Sequence, residues 1–297
     1  MDLEEDRMAT LTTATATSII RRSSMQQPKG NDPGVGRLAG TDAPLLQIDE
    51  VAVRFSGDRD VLAQTSLTVR PGEFIVLLGP SGCGKSTLLN LTAGTLRPRQ
   101  GSISFSGKLV TSINRNVGYV TQEDTMLPWL TLAANVGLPL RMRRVPRAQV
   151  RDKVMTLLKN FSLDHAANLH PAQLSGGMKK RGLLARALIY EPKLLLMDEP
   201  FAALDAQMRS QLQAELRRVV RTTGVAVLFV THDIEEAALL ADRVVVIGGS
   251  PGHIIDDIAI PLGPERDPEV LRFDDTFRDV GKVLQASLAR AKGEQRA

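Results

Sequence analysis

A chain of 297 residues with 43% hydrophobic and 24% charged residues can bury a sizeable core and has the composition of an ordinary soluble globular protein. Its net charge of +4 is a mild basic bias and not in itself a nucleic-acid signature. The single cysteine, Cys83, excludes an internal disulfide and suits a reducing compartment, and no apolar run is long enough to span a bilayer, so a passage through a membrane would have to come from another chain.

Residues 1–44 are rich in Thr, Ser, Ala, Gly and Pro with little periodicity, which predicts a disordered leader, with a true start at Met25 or a regulatory role as the alternatives. The acidic opening and the lack of an apolar segment argue against a signal peptide, and the polar stretch after Arg21-Arg22 argues against a twin-arginine signal. A patterned domain is expected over 45–277, with a C-terminal tail over 278–297. Within it, Leu46–Phe55 and Leu67–Val69 read as strands, and Phe74–Leu78 as a continuous apolar strand running into a Gly-rich loop. Lys85–Ala93 reads as a helix, and Ile103–Phe105 and Val117–Thr121 as further strands.

From about 122 to 175 the texture turns mostly helical, with Val150, Val154, Leu157, Leu158 and Phe161 on one helical face. Strands return at Leu194–Met197, Val225–Val230 and Val244–Ile247, each preceded by a helix. This alternation predicts an α/β fold: a mostly parallel sheet covered on both faces, an antiparallel β portion, and a helical insertion. After Ile260 only a short tail with one amphipathic stretch, about Phe277 to Leu288, is expected, too short for an added sensing domain.

The loop Gly79-Pro80-Ser81-Gly82-Cys83-Gly84-Lys85-Ser86-Thr87 fits G-x-x-x-x-G-K-[ST], with the strand before it and the helix after it that the motif needs. Its glycines let backbone N–H groups converge on phosphate oxygens, and the following helix turns its positive end to the same anion. Lys85 brings a point charge to the outer phosphates, and Ser86 offers a hard oxygen to Mg²⁺. The alternative, a Gly-rich turn with a solvated lysine, ill suits that context. Cys83 reads as a small residue tolerated in the loop.

Leu194–Met197 delivers Asp198 and Glu199 to the carboxyl edge of the sheet, where open α/β folds bind ligands. Asp198 suits Mg²⁺; Glu199 suits orienting and deprotonating an attacking water. His232 follows the strand Val225–Val230 and could donate to a γ-phosphate. Ser175-Gly176-Gly177, ahead of a helix running to about Ile189, make a second anion site. One phosphate loop gains little from a second site unless that site serves another copy's ATP, which predicts a head-to-tail dimer.

With GPSGCGKST, Gln122, LSGGM, LLLMDEP, Ala203-Leu204-Asp205 and His232 in this order, the chain resembles the ATP-binding cassette (ABC) family over nearly all of Leu46 to Ile260. The resemblance implies ATP and Mg²⁺ as cofactors. It makes Phe55 the aromatic that stacks on adenine, Gln122 the sensor of γ-phosphate and Mg²⁺, and Asp205 part of a loop at the dimer interface. Met178 stands where the family has Gln, and the Lys179-Lys180-Arg181 run after it either strengthens the phosphate field or forms a solvated face.

Gln122–Thr131 and the pairing of LSGGM with Pro200–Arg209 look like the nitrate/sulfonate/taurine importer branch. That likeness implies ATP hydrolysis coupled to uptake of a small anion through separate permease subunits, with a substrate-binding protein acting indirectly. It also implies a peripheral position on the cytoplasmic face of the inner membrane. Trp129 then belongs to the core or, as its Leu-Pro-Trp context favours, to the groove that receives a helix of the permease, and Arg141, Arg143, Arg144, Arg147 and Arg151 form a solvated surface or approach anionic head groups. An importer for another solute and a non-transport ATPase on nucleic acid are the rival readings; no nucleic-acid partner is expected. A kinase would lack Ser175-Gly176-Gly177, and a silent scaffold would have lost Glu199 or His232.

Overall fold

The computed structural model describes residues 43–55, 59–263, 266–271 and 273–296. The leader expected over 1–44 therefore lies, up to residue 42, outside the described residues. The chain divides into two compact units: one holds the residues up to Ile113 and from Val230 onward, the other Asn114–Phe229.

The first unit contains an antiparallel sheet in the order β2-β1-β4-β5, from β1 (Leu46–Phe55), β2 (Arg59–Val69), β4 (Gln100–Phe105) and β5 (Lys108–Leu109). β1 alternates buried Leu46, Ile48, Val51 and Val53 with more open neighbours, as a sheet covered on one face requires. The same unit holds β3 (Phe74–Leu78), β9 (Arg243–Gly248) and β10 (His253–Ala259) in the order β10-β9-β3. β3 pairs parallel with β9, Val76 opposite Val244, while β10 returns antiparallel to β9. Every residue of β3 is buried, so its continuous apolar run is what a strand covered on both faces demands.

The helices of this unit are α1 (Lys85–Ala93), directly after the β3 loop, α7 (Ile234–Leu240), the short α8 (Pro268–Leu271) and α9 (Asp275–Arg296). α9 buries Val280, Val283, Leu284, Ser287, Leu288 and Ala291, a spacing of three and four that makes one helical stripe. It lies so close to β9 that a Cβ on Gly248 would stand 2.5 Å from the Ala291 Cα. Buried Arg266 donates to the carbonyls of Ala238 (3.2 Å), Leu239 (3.2 Å) and Ala241 (2.6 Å), a cation set on the negative end of α7.

In the second unit, β6 (Val117–Val120) pairs parallel with β7 (Leu194–Asp198), and β8 (Ala226–Thr231) follows in the order β8-β7-β6. Its helices are α2 (Leu132–Val136), α3 (Leu138–Met142), α4 (Arg147–Asn160), α5 (Gly176–Leu188) and α6 (Ala206–Thr223). The predicted face of α4 points inward, with Val150, Val154, Leu158 and the flanking Phe161 buried, though Leu157 is only half-buried. Parallel strands alternating with helices, an antiparallel β portion and a mainly helical stretch between β6 and β7 match the expected fold class. No helix among the described residues is long and apolar enough to cross a membrane.

Candidate functional site

In the first unit the loop Gly79–Thr87 joins β3 to α1. Gly79 must lack a side chain, because a Cβ there would lie 2.1 Å from the Ile247 carbonyl oxygen. Gly84, with φ 95, forms the N-cap of α1 and gives it no side-chain cap. Lys85 is 4% exposed, and its Nζ donates to the carbonyls of Gly79 (2.9 Å) and Pro80 (2.7 Å). Its ammonium is thus folded back over the loop rather than solvated. Ser81 and Ser86 are exposed, Thr87 is buried, and Cys83 is packed beneath the loop with its Sγ 3.9 Å from Lys85 Nζ. Burial pushes the Cys83 thiol up from its ordinary value, and nearby Lys85 only partly offsets this.

The wall behind the loop comes from residues that sequence reading did not single out. Gly252, in the turn between β9 and β10, sits 1.9 Å, as measured from an added Cβ, from the Cys83 carbonyl oxygen. It is pinned there by bonds from its own N–H to Val61 O and from Ala63 N–H to its carbonyl, both 2.9 Å. Leu62 of β2 in turn fills the space beside Gly84. In the same unit, Phe55 ends β1 and is 47% exposed, beside the Arg54–Asp60 ion pair at 2.6 Å. His232, exposed, follows β8; its neighbours are fixed by Thr231 Oγ1 donating to Glu236 Oε2 at 2.6 Å and by Asp233 capping α7.

In the second unit the parallel ladder sets Val120 beside Met197, so Gln122 and Glu199 each lie two residues beyond paired positions on neighbouring strands. Asp198 ends β7 half-buried, and Tyr119 on β6 feels it: burial, reinforced by the Asp198 charge, pushes the Tyr119 hydroxyl up to about 12. Glu199 has φ 42, a left-handed backbone that a non-glycine residue holds only against strain, and such positions cluster at functional sites. Ser175 is the N-cap of α5, its Oγ accepting from Met178 N–H at 3.3 Å. Gly176 faces open space, whereas a Cβ on Gly177 would press 2.3 Å from Met208 Sδ. Asp205 caps α6 by accepting from Met208 N–H at 2.9 Å.

In the basic run Lys179-Lys180-Arg181, the last two residues are neither simply solvated nor a loose source of field. Lys180 Nζ donates to the Gln122 carbonyl at 3.2 Å, and Arg181 pairs with Glu215 at 2.9 Å. Burial pulls Lys180 below the usual lysine range. Arg186 reaches Thr125 through its carbonyl (2.9 Å) and hydroxyl (2.6 Å). The fully buried Asn135, which sequence reading missed, holds the same stretch, accepting from Leu127 N–H at 2.8 Å and donating to the carbonyls of Leu127, Leu130 and Thr131 at 3.1 Å each. The stretch from Gln122 to Leu130 is therefore a restrained loop rather than part of a helix, and it carries Trp129 at 69% exposure. Of the arginine run, Arg141 donates to Ala134 O, and Arg143 lies over the Tyr190 ring at 4.2 Å and donates to Arg115 O. Those two are tied to the chain yet remain exposed, as a solvated surface requires.

A family model described as ABC transporter matches residues 62–202. The chain is 44% identical over 244 residues to the aliphatic sulfonates import ATP-binding protein SsuB 1 of Xanthomonas axonopodis pv. citri, covering 82% of this chain and 96% of that protein. It is 45% identical over 218 residues to the taurine import ATP-binding protein TauB of Chromobacterium violaceum, covering 73% of this chain and 84% of that one. Among solved structures it resembles cbiO1 of Clostridium perfringens, part of the transporter complex cbiONQ, at a TM-score of 0.68 and 26% identity over 82% of this chain and 99% of that chain. It also resembles a dimeric post-hydrolysis state of the ATP-binding cassette MJ0796 bound to ADP and Pi, at a TM-score of 0.65 and 28% identity over 73% of this chain and 100% of that chain.

Proposed function

The chain belongs to the ABC transporter family, and on that premise we propose that it is the ATPase subunit of an importer for small sulfonate-like anions, acting on ATP as half of a head-to-tail pair. The observation that carries this reading is the presence, in one chain, of two helix starts suited to phosphate. One is the uncapped, glycine-led start of α1, and the other is the Ser-Gly-Gly start of α5. The first binds this copy's nucleotide. The second closes on the terminal phosphate held by the other copy.

Lys85, already desolvated against its own loop, meets the outer phosphates, and Phe55 is open enough to stack on adenine. Ser86, Gln122 and Asp198 carry the hard oxygens that suit Mg²⁺, with Ser86 exposed in the first turn of α1 and Asp198 half-buried at the end of β7. The ion, when bound, neutralises charge on the phosphates. Glu199, held in a strained left-handed backbone directly after β7, orients the attacking water and takes its proton. His232 donates to the γ-phosphate. Asp205, by capping α6, shapes the loop that meets the second copy.

Closure follows because each γ-phosphate gains contacts from both copies, and hydrolysis removes them. The motion drives a separate permease, which grips the loop around exposed Trp129. Sulfonates or taurine are the solute class we infer from SsuB 1 and TauB, import ATP-binding proteins for those compounds that are 44% and 45% identical to this chain over the aligned residues, although a sulfate/thiosulfate import ATP-binding protein is 44% identical as well. The subunit then works peripherally at the cytoplasmic face of the inner membrane.

Size exclusion with light scattering tests the pair. Glu199→Gln in saturating ATP and Mg²⁺ should accumulate as a dimer with hydrolysis nearly abolished, whereas Lys85→Ala should stay monomeric and inactive. A Glu199→Gln protein that remains monomeric while binding ATP would sink the head-to-tail model.

A further inference from the structure

Lys85 and the helix start account for the charge that the loop Gly79–Thr87 presents, but nothing within the loop fixes the peptide between Ser81 and Gly82. Gly82 has φ 84, and a Cβ there would meet only Gln295 Nε2, at 3.9 Å. A glycine in open space allows the peptide before it to turn over at little cost. A trans peptide is planar, so its carbonyl and its N–H point opposite ways. The side taken by the Ser81 carbonyl therefore decides the side taken by the Gly82 N–H.

The last turn of α9 supplies the missing restraint. Gln295 Nε2 donates to the Ser81 carbonyl at 3.0 Å. That turn is itself anchored. Glu294 pairs with His253 at 3.0 Å, Arg290 pairs with Asp256 on β10, and Ala291 rests against Gly248 of β9. The amide thus reaches the loop from a frame made of two strands and the helix that covers them.

We propose that Gln295 is a positioning residue for nucleotide binding. Its amide holds the Ser81 carbonyl toward α9, which keeps the Gly82 N–H on the opposite side, presented to the phosphates. The inference rests on reading Gly79–Thr87 as the nucleotide's phosphate loop, and it makes the C-terminal helix part of that loop's wall.

Three variants of the full chain separate the donor from the bulk: Gln295→Met keeps the length without a donor, Gln295→Lys keeps a donor, and Gln295→Glu offers only an acceptor. ATP Kd is read by calorimetry, KM and kcat by phosphate release, and Tm without nucleotide, with Lys85→Ala measured alongside. Gln295→Met should raise Kd and KM about threefold to tenfold, the effect of one hydrogen bond of ordinary net strength, with kcat and Tm unchanged. Gln295→Lys should bind as the parent does, and Gln295→Glu should bind more weakly than Gln295→Met. If Gln295→Met binds ATP like the parent, or if it and Gln295→Lys weaken binding equally, the inference fails while the phosphate-loop reading stands. If Lys85→Ala also binds ATP like the parent, the reading fails and takes the inference with it.

Discussion

Substituting Gly252 with Ala tests whether the turn between β9 and β10 supports the phosphate loop. The added methyl would stand 1.9 Å from the Cys83 carbonyl oxygen and 3.3 Å from the Val61 carbonyl oxygen, both backbone atoms that no rotamer change can move. Turn and loop must separate until the first distance reaches at least 3.0 Å. The bonds from Gly252 N–H to Val61 O and from Ala63 N–H to Gly252 O, each 2.9 Å, stretch with that movement. Losing both costs about 2 kcal/mol, and the overpacking adds about 1 to 2 kcal/mol. For a domain of this size the sum lowers Tm by roughly 6 to 15 °C. Because the Cys83 carbonyl belongs to the phosphate loop, ATP should also bind more weakly to the protein that remains folded. Scanning calorimetry reads the first effect and nucleotide titration well below Tm the second. Gly281→Ala is the matched control: nothing lies within 4 Å of its Cβ and it sits within α9, so it should raise stability by about 0.5 to 1 kcal/mol. A Gly252→Ala protein that melts within about 2 °C of the parent and binds ATP normally would refute the close approach of turn to loop.

Cys83 should resist alkylation. Its thiolate form is disfavoured by burial, so iodoacetamide at neutral pH should modify it at least about tenfold more slowly than a small free thiol, and urea should restore the ordinary rate. Equal rates in the folded protein would mean that the thiol is open. Met178→Gln should change turnover by less than about tenfold, about 1.4 kcal/mol in barrier, because what Met178 gives the Ser175 cap is its backbone N–H and not its side chain. A larger change in phosphate release would assign that side chain a contact of its own.

The parts of the fold that chemistry imposes locally were legible. Phe74–Leu78 and Lys85–Ala93 have in the structure the limits that the apolar run and the glycine loop predict. What escaped depends on distant partners. β10 was missed because its carboxylates Asp256 and Asp257 spoil a strand pattern, and only the fold shows them held by Arg290 and by Arg243 at 3.4 Å. β2 begins at Arg59 rather than Leu67 because irregular register against β1 breaks the alternation that sequence reading seeks. α9 extends to Arg296 beyond the expected amphipathic stretch, and its Gly281 and Gly293 hid that continuity. The supporting roles of Gln295 and Gly252 could not be read from the chain, since the Gln295 bond spans 214 positions and Gly252 rests on a backbone approach, while Asn135 bonds backbone only four to eight positions away, in a loop whose course the pattern does not give.

If the two anion sites are as proposed, the helix starts explain why they need different residues. α2, α5, α6 and α7 open on Thr131, Ser175, Asp205 and Asp233, whose side chains accept from backbone N–H groups. A cap of that kind commits part of the first turn to the chain itself. α1 opens on Gly84 with no side-chain cap, as α3 and α4 do on Gly137 and Pro146, which leaves its first N–H groups for the phosphate proposed there. α5 resolves the same conflict differently. A serine hydroxyl accepts the Met178 N–H through a lone pair and still has its own hydrogen to donate, so it serves the helix and an incoming phosphate at once. An aspartate there would cap as well as Asp205 does on α6, yet its carboxylate would repel the anion and could offer it no hydrogen. On the proposed function, the residue at the α5 N-cap would thus be constrained by the ligand more than by the helix, and serine meets both demands.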